Sequence, residues 1–320
     1  MNRDVVTKFA LVLAVWLLAL LAAGNAKAQV AVASAAPVRA MVSDPALVAP
    51  GASFVPLNPA VLQWSAPSRW GGGTIRAERE LLPPDGPNFT DFKGLFGGFN
   101  VTGPGFSYAG QIVELTDKTH ATGLDADWNS LSGAAAFQAG ERFAFGVGLE
   151  RTGNSARSAS VDYNTTQLGM SVRVTNAIFA GLVMGTENIV IQNNTSQRGI
   201  QRYGIGWRTG STKSQFHLEA FRTEKDKATD FTPRSEYSDM SLTTGVIEAQ
   251  FWKIFTGFTT TSGKQETFGQ EIQSNAWEIG WIGKSGLSGT YRRENGTTTN
   301  SFSGQQRATR AIIWSLAYAF

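Results

Sequence analysis

His120 and His217 are the only histidines in the chain, and no cysteine accompanies them. His217 stands two residues before Glu219, so in a strand the two side chains share one face, where a carboxylate can orient or charge an imidazole. His120 lies near Asp117 and Asp125, a set that could supply a general base at the rim of a lipid hydrolase. No nucleophile motif accompanies either histidine, so no catalytic residue is assigned. The acidic stretch from Thr223 to Asp230 lacks the Asp-x-Asp-x-Asp-Gly spacing of a calcium loop. Zero cysteine removes disulfides, zinc–thiolate sites and haem attachment together. No metal or cofactor is expected.

A second set is larger. Arg76, Glu78, Glu150, Arg173, Arg202, Arg208, Glu219, Glu248 and Glu278 each alternate with apolar or aromatic neighbours. That pattern assigns them to one face of their strands. Arg173, Arg202, His217, Glu219, Glu248 and Glu278 are expected to form a polar network on that face. Their mixed signs favour mutual pairing over ion selection, which concentrates one sign.

The elements that must hold these residues are strands. From Thr74 onward, segments of about ten residues alternate large apolar with small or charged side chains. Phe143, Phe145, Val147 and Leu149 alternate with Ala144, Gly146, Gly148 and Glu150, and Tyr203, Ile205 and Trp207 with Arg202, Gly204, Gly206 and Arg208. A face rich in Trp, Tyr and Phe set against a face of glycine and charge fits lipid outside and a filled lumen inside. Glycines 146, 148, 204, 206 and 280 would leave lumen space for a filler. The spacing predicts an all-β fold: a transmembrane antiparallel β-barrel of about fourteen strands, with twelve as the alternative count. Connections alternate long and short, the long ones falling at 82–92, 117–128, 153–162, 189–197, 224–238, 263–272 and 297–306. Long loops belong outside and short turns in the periplasm.

The N-terminus carries different signals. Arg3 and Lys8 precede 15 apolar residues from Phe9 to Ala23, and Ala26-Lys27-Ala28 follows. Residues 1–28 therefore read as a signal peptide, too short for a spanning helix. Residues 29–70, broken by Pro45, Pro50, Pro56, Pro59 and Pro67, cannot form a long helix. Phe54, Val55, Leu57, Val61, Leu62 and Trp64 are too apolar for a solvated linker, so this segment is expected to plug the barrel formed by 71–320. Beyond residue 28 the chain has 25 basic and 24 acidic residues, a balance that argues against nucleic acid as a partner. Ile312, Trp314, Leu316, Tyr318 and Phe320 share one face of the last segment. This terminal strand resembles the signal read by the bacterial barrel-assembly machinery, the partner expected at Phe320 besides outer-membrane lipid.

With Asn58-Pro59-Ala60 just before the strand series, the sequence resembles the long-chain fatty acid transporter (FadL/TodX) family of outer-membrane barrels. That family has about fourteen strands and an N-terminal hatch bearing an Asn-Pro-Ala motif. The resemblance implies that Asn58, Pro59 and Ala60 form the hatch turn on the substrate path. It also implies passive uptake of hydrophobic small molecules across the bacterial outer membrane, with capture at Phe89, Phe92, Phe231 and Phe268 in the outer loops. A break near Gly103-Pro104-Gly105 or Gly110 is expected to open the wall sideways. A porin-like or structural barrel without hydrophobic cargo, and the rim lipid hydrolase, remain alternatives at this point.

Overall fold

The computed structural model describes residues 54–64, 68–82, 88–117, 127–156, 159–191, 194–210, 214–228, 239–267, 269–283 and 286–319. The expected signal peptide, residues 29–53, His120, Phe231, Phe268 and Phe320 lie outside the described residues.

The alternating segments form fourteen strands. They are β1 (Arg69–Leu82), β2 (Asn88–Thr102), β3 (Phe106–Asp117), β4 (Asp127–Ala139), β5 (Phe143–Ala156), β6 (Ala159–Arg173) and β7 (Ile178–Ile191). Then come β8 (Asn194–Gly210), β9 (Ser214–Lys225), β10 (Met240–Phe251), β11 (Ile254–Gln265), β12 (Gln270–Ile282), β13 (Leu287–Asn300) and β14 (Gln306–Ala319). Each pairs antiparallel with its sequence neighbours, and β14 pairs with β1, Gly73 opposite Ala317, to close the cylinder. Closure leaves no sheet edge, which a membrane demands because lipid offers no hydrogen bonds to stray backbone groups.

The two faces divide as a membrane requires. Val147, Leu149, Leu168, Ile205, Trp207, Ile279 and Trp281 point outward and are exposed, while their alternates face the lumen. Two glycines accommodate aromatic rings on this outer face. A Cβ on Gly110 would lie 2.9 Å from the Phe99 ring, and one on Gly289 would lie 2.6 Å from Trp281 Nε1. Each indole or phenyl thus lies flat over bare backbone. The β2–β3 ladder continues through the Phe99–Gly110 and Thr102–Ser107 pairs, so the expected sideways break near Gly110 does not occur.

The strands run 12 to 17 residues, beyond the roughly 9–11 that span a bilayer. The excess corrects two expectations. The connections foreseen at 153–162 and 189–197 are mostly strand, since β5 ends at Ala156 and β6 starts at Ala159, while β7 ends at Ile191 and β8 starts at Asn194. Arg76 and Glu78 also face outward rather than into the lumen. The outward Trp314 is paired with Arg76, whose guanidinium lies 5.8 Å over its ring, and Arg76 bonds Asp91 and Glu78 at 3.0 and 2.9 Å. Outward pairs Arg151–Asp162 at 3.1 Å and Arg222–Glu224 at 2.9 Å occupy the same end of their strands. Charges on the lipid face would cost about 2–4 kcal/mol each at midplane. They gather instead where the strands rise above the apolar band.

Candidate functional site in the lumen

Residues 54–64 lie inside the cylinder. Pro59–Trp64 is a 3-10 helix whose six residues are all buried, and it packs along β2 to β6. Asn58 starts it. Its Oδ1 accepts from the Ala60 amide at 3.1 Å, satisfying a donor that a helix start leaves without a partner, and its carbonyl accepts the first 3-10 hydrogen bond from Val61 N at 3.0 Å. Asn58 Nδ2 donates to the Met170 carbonyl on β6 at 3.0 Å. Gln63 Nε2 donates to the Ala136 carbonyl at 2.9 Å, and Trp64 Nε1 to Ser171 Oγ at 3.1 Å. Three polar side chains thus tie the segment to β4 and β6.

Glycines in the wall set how close it can approach. A Cβ on Gly146 would stand 2.5 Å from Ala60 N, and one on Gly169 would stand 2.2 Å from Asn58 Oδ1. The Phe54 ring sits equally close to Gly98, 2.6 Å from the place a Cβ would take. Gly146 and Gly148 were readable as lumen space. Gly98, Gly169 and Ser171 carried no sequence signal beyond lying at inward-facing strand positions, and Gln63 carried none.

The expected polar network divides into three places. Arg173 belongs with the inserted segment, its guanidinium 4.4 Å over the Trp64 ring and 5.9 Å over Phe179, a cation–π arrangement that stabilises a desolvated charge. Arg202 lies farther along the bore and donates to Gln167 Oε1 at 2.9 Å. His217, Glu219 and Glu248 do come together. His217 Nε2 is 3.1 Å from Glu219 and Nδ1 3.3 Å from Glu248. Glu278 joins from two strands away, since a Cβ on Gly257 would be 3.6 Å from both Glu248 Cγ and Glu278 Oε1. Arg292 approaches Glu278 at 3.9 Å. The sequence reading missed a further buried set above these, in which Glu187 pairs with Arg198 and with Lys225 Nζ, the latter at 3.0 Å.

Apolar side chains occupy the remaining lumen wall. Ile75, Phe96, Val113, Leu115 and Ala317 pack with Phe54, and the half-buried Phe92, Trp128 and Ile313 extend this cluster along β14, β1, β2, β3 and β4. Phe92 was expected in an outer loop. It lies within β2 and faces inward with this cluster. Ala60 and Trp64 join Ala144, Phe179, Val183, Phe221 and Val246 in a second cluster across the bore. The lumen is therefore apolar on the β14–β4 side, mixes paired charges with apolar side chains on the β7–β13 side, and contains Phe54–Trp64.

No protein-family model and no curated protein matches the sequence. Solved structures match the fold. A monoaromatic hydrocarbon channel, CymD, superposes with a TM-score of 0.53 at 11% identity over 82% of this chain and 91% of that one. A FadL homologue of Pseudomonas aeruginosa gives 0.53 at 10% identity, over 90% and 98% of the two chains. The toluene transporter TodX of Pseudomonas putida gives 0.53 at 6%, over 91% and 99%. The chain has the fold of the FadL/TodX outer-membrane barrels.

Proposed function

We propose that this chain is a passive outer-membrane channel for hydrophobic small molecules, and that Phe54–Trp64 is its hatch, with Asn58, Pro59 and Ala60 at the moving turn. The carrying observation is the seat of Asn58, which caps the 3-10 helix with one side-chain atom and grips the Met170 carbonyl with another. A solute enters from the outer end along the apolar wall, past Phe92, Trp128 and Ile313, and descends to Phe54. Phe54 and the helix must then shift. Releasing the Asn58, Gln63 and Trp64 bonds costs about 0.5–1.5 kcal/mol each, a barrier that a solute overcomes only by binding the open state better than the closed one. Fold alone does not decide cargo. The similar channels for monoaromatic hydrocarbon and toluene support the choice, as does the apolar cluster around Phe54.

Arg202, His217, Glu219, Glu248 and Glu278 take a structural part in this reading, filling the opposite half of the bore and keeping it from collapsing or leaking. Arg173 holds Trp64. The test is planar-bilayer conductance paired with uptake of a labelled hydrophobic solute. The intact barrel is expected to be silent, and removal of residues 29–64, which spares β1, to give steady conductance. Steady conductance of the intact protein, unchanged by that removal, supports a porin-like barrel and defeats the hatch. Normal conductance behaviour without solute uptake defeats the cargo assignment alone.

A further inference from the structure

On the outer wall, Ala220 and Gly245 face each other across β9 and β10, and their small size leaves a depression in an otherwise bulky apolar surface. It is a groove of about 500 Å³, walled by Ile205, Trp207, Leu218, Ile247 and Phe258 and floored by the Gly206 and Val246 backbone. One step toward the outer end, the row Tyr203–Arg222–Thr243–Ser262 crosses the same four strands. Arg222 is fixed there: Nε lies 2.9 Å from Glu224, and Nη2 donates to Ser241 Oγ at 2.8 Å. Tyr203 Oη donates to Glu224 Oε1 at 3.3 Å, so the carboxylate is shared. The Arg222 side chain remains 46% exposed, and a guanidinium carries five donors in a fork suited to phosphate.

We propose that this groove binds one acyl chain of a phosphorylated glycolipid of the outer leaflet, with its phosphate held at Arg222. The groove is open to the hydrocarbon layer and lined by carbon, which fits an alkyl chain. Its charged rim lies at the end of the strands with the longest connections, from β3 to β4 and from β9 to β10, the end that faces outward from the cell in such barrels, where headgroup phosphates sit. A seated chain would interlock with Leu218 and Ile247 in a way that bulk lipid cannot on a convex wall. The proposal requires only that the barrel span the outer membrane, and it is independent of cargo.

The test is native mass spectrometry of the purified barrel, titrated with a bis-phosphorylated glycolipid, its dephosphorylated form, and an anionic two-chain phospholipid. Gly245→Leu fills the groove without a clash, since a Cβ there meets only the Thr260 methyl at 3.4 Å, and Ala220→Leu fills it from the other strand. Both are expected to weaken retention of the bis-phosphorylated lipid roughly tenfold or more. Arg222→Gln is expected to abolish the preference over the dephosphorylated form, whereas Arg151→Gln, on the distant β5, leaves it unchanged. Retention that is indifferent to groove filling overturns the proposal, as does equal binding of the phospholipid. Loss of hydrophobic-solute uptake in Gly245→Leu with lipid retention intact would make the groove a solute exit and overturn it likewise.

Discussion

Replacing Gly169 with alanine adds one methyl group where Asn58 is seated. That Cβ would lie 2.2 Å from Asn58 Oδ1, 2.9 Å from Pro59 Cδ and 3.0 Å from Pro59 Cγ, so Asn58 and Pro59 must withdraw. Withdrawal strains or breaks the Asn58–Met170 and Asn58–Ala60 bonds, together about 1–3 kcal/mol. Overpacking adds about 1–3 kcal/mol more. A central value of about 4 kcal/mol raises the population of the displaced hatch ~1000-fold relative to the parent. The barrel should survive, because Gly169 has no positive φ and its strand keeps the pairs to Gly146 and Val183. Gly148→Ala supplies the comparison, since a Cβ there meets Gln167 at 3.4 Å and Pro59 at 3.6 Å, which is ordinary contact. Single-channel recordings should show frequent openings for Gly169→Ala and parental silence for Gly148→Ala, with both barrels remaining compact on unheated denaturing gels. Equal behaviour of the two variants would refute the idea that close approach of Asn58 to β6 sets the gate.

Asn58→Ala removes the cap and the grip without adding bulk, and open probability in the same recordings should rise about tenfold, corresponding to ~1–2 kcal/mol. Trp64→Phe keeps a ring beneath Arg173 but loses the bond to Ser171 Oγ; it should open about fivefold more often, from ~1 kcal/mol. Leu168→Arg places a charge on the outer face beside Val147 and Met184, and urea unfolding in lipid vesicles should show a loss of about 2–4 kcal/mol. Asp239, just before β10, is slightly desolvated, which raises its pKa, but donors from Thr267 outweigh this and hold it below the usual carboxylate value. The contribution of this contact is present above the unfolded value near ~3.9 and is lost as pH falls through the lower folded value. The Thr267 amide resonance should follow that acid transition and lose it in Asp239→Asn.

Strand existence and count were legible because alternation is forced on a wall with lipid on one side. The terminal strand and the Phe143–Glu150 segment are the clearest examples, as each residue type matched its solvent. Arg76 and Glu78 misled for a physical reason. The same face of β1 carries Trp70 near one membrane boundary and charge beyond the other, so parity alone cannot tell lumen from extramembrane surface. The length of β5 to β8 was hidden likewise, because polar residues that continue a ladder above the membrane read as loop. Asn58 stood out by its setting before the first strand. Its partners did not: it is held by the Met170 carbonyl and by the missing side chain of Gly169, and neither a backbone oxygen nor an absent Cβ announces a contact in a sequence.

The 3-10 helix rests along β2 to β6, strands of the first half of the barrel. The seat for the obstruction is therefore local, and forming it closes far shorter loops than joining β14 to β1, whose paired residues Gly73 and Ala317 stand at opposite ends of the barrel sequence. A half-assembled sheet can already hold this segment. On the hatch function proposed above, the last seam then zips around a gate that is already in its place.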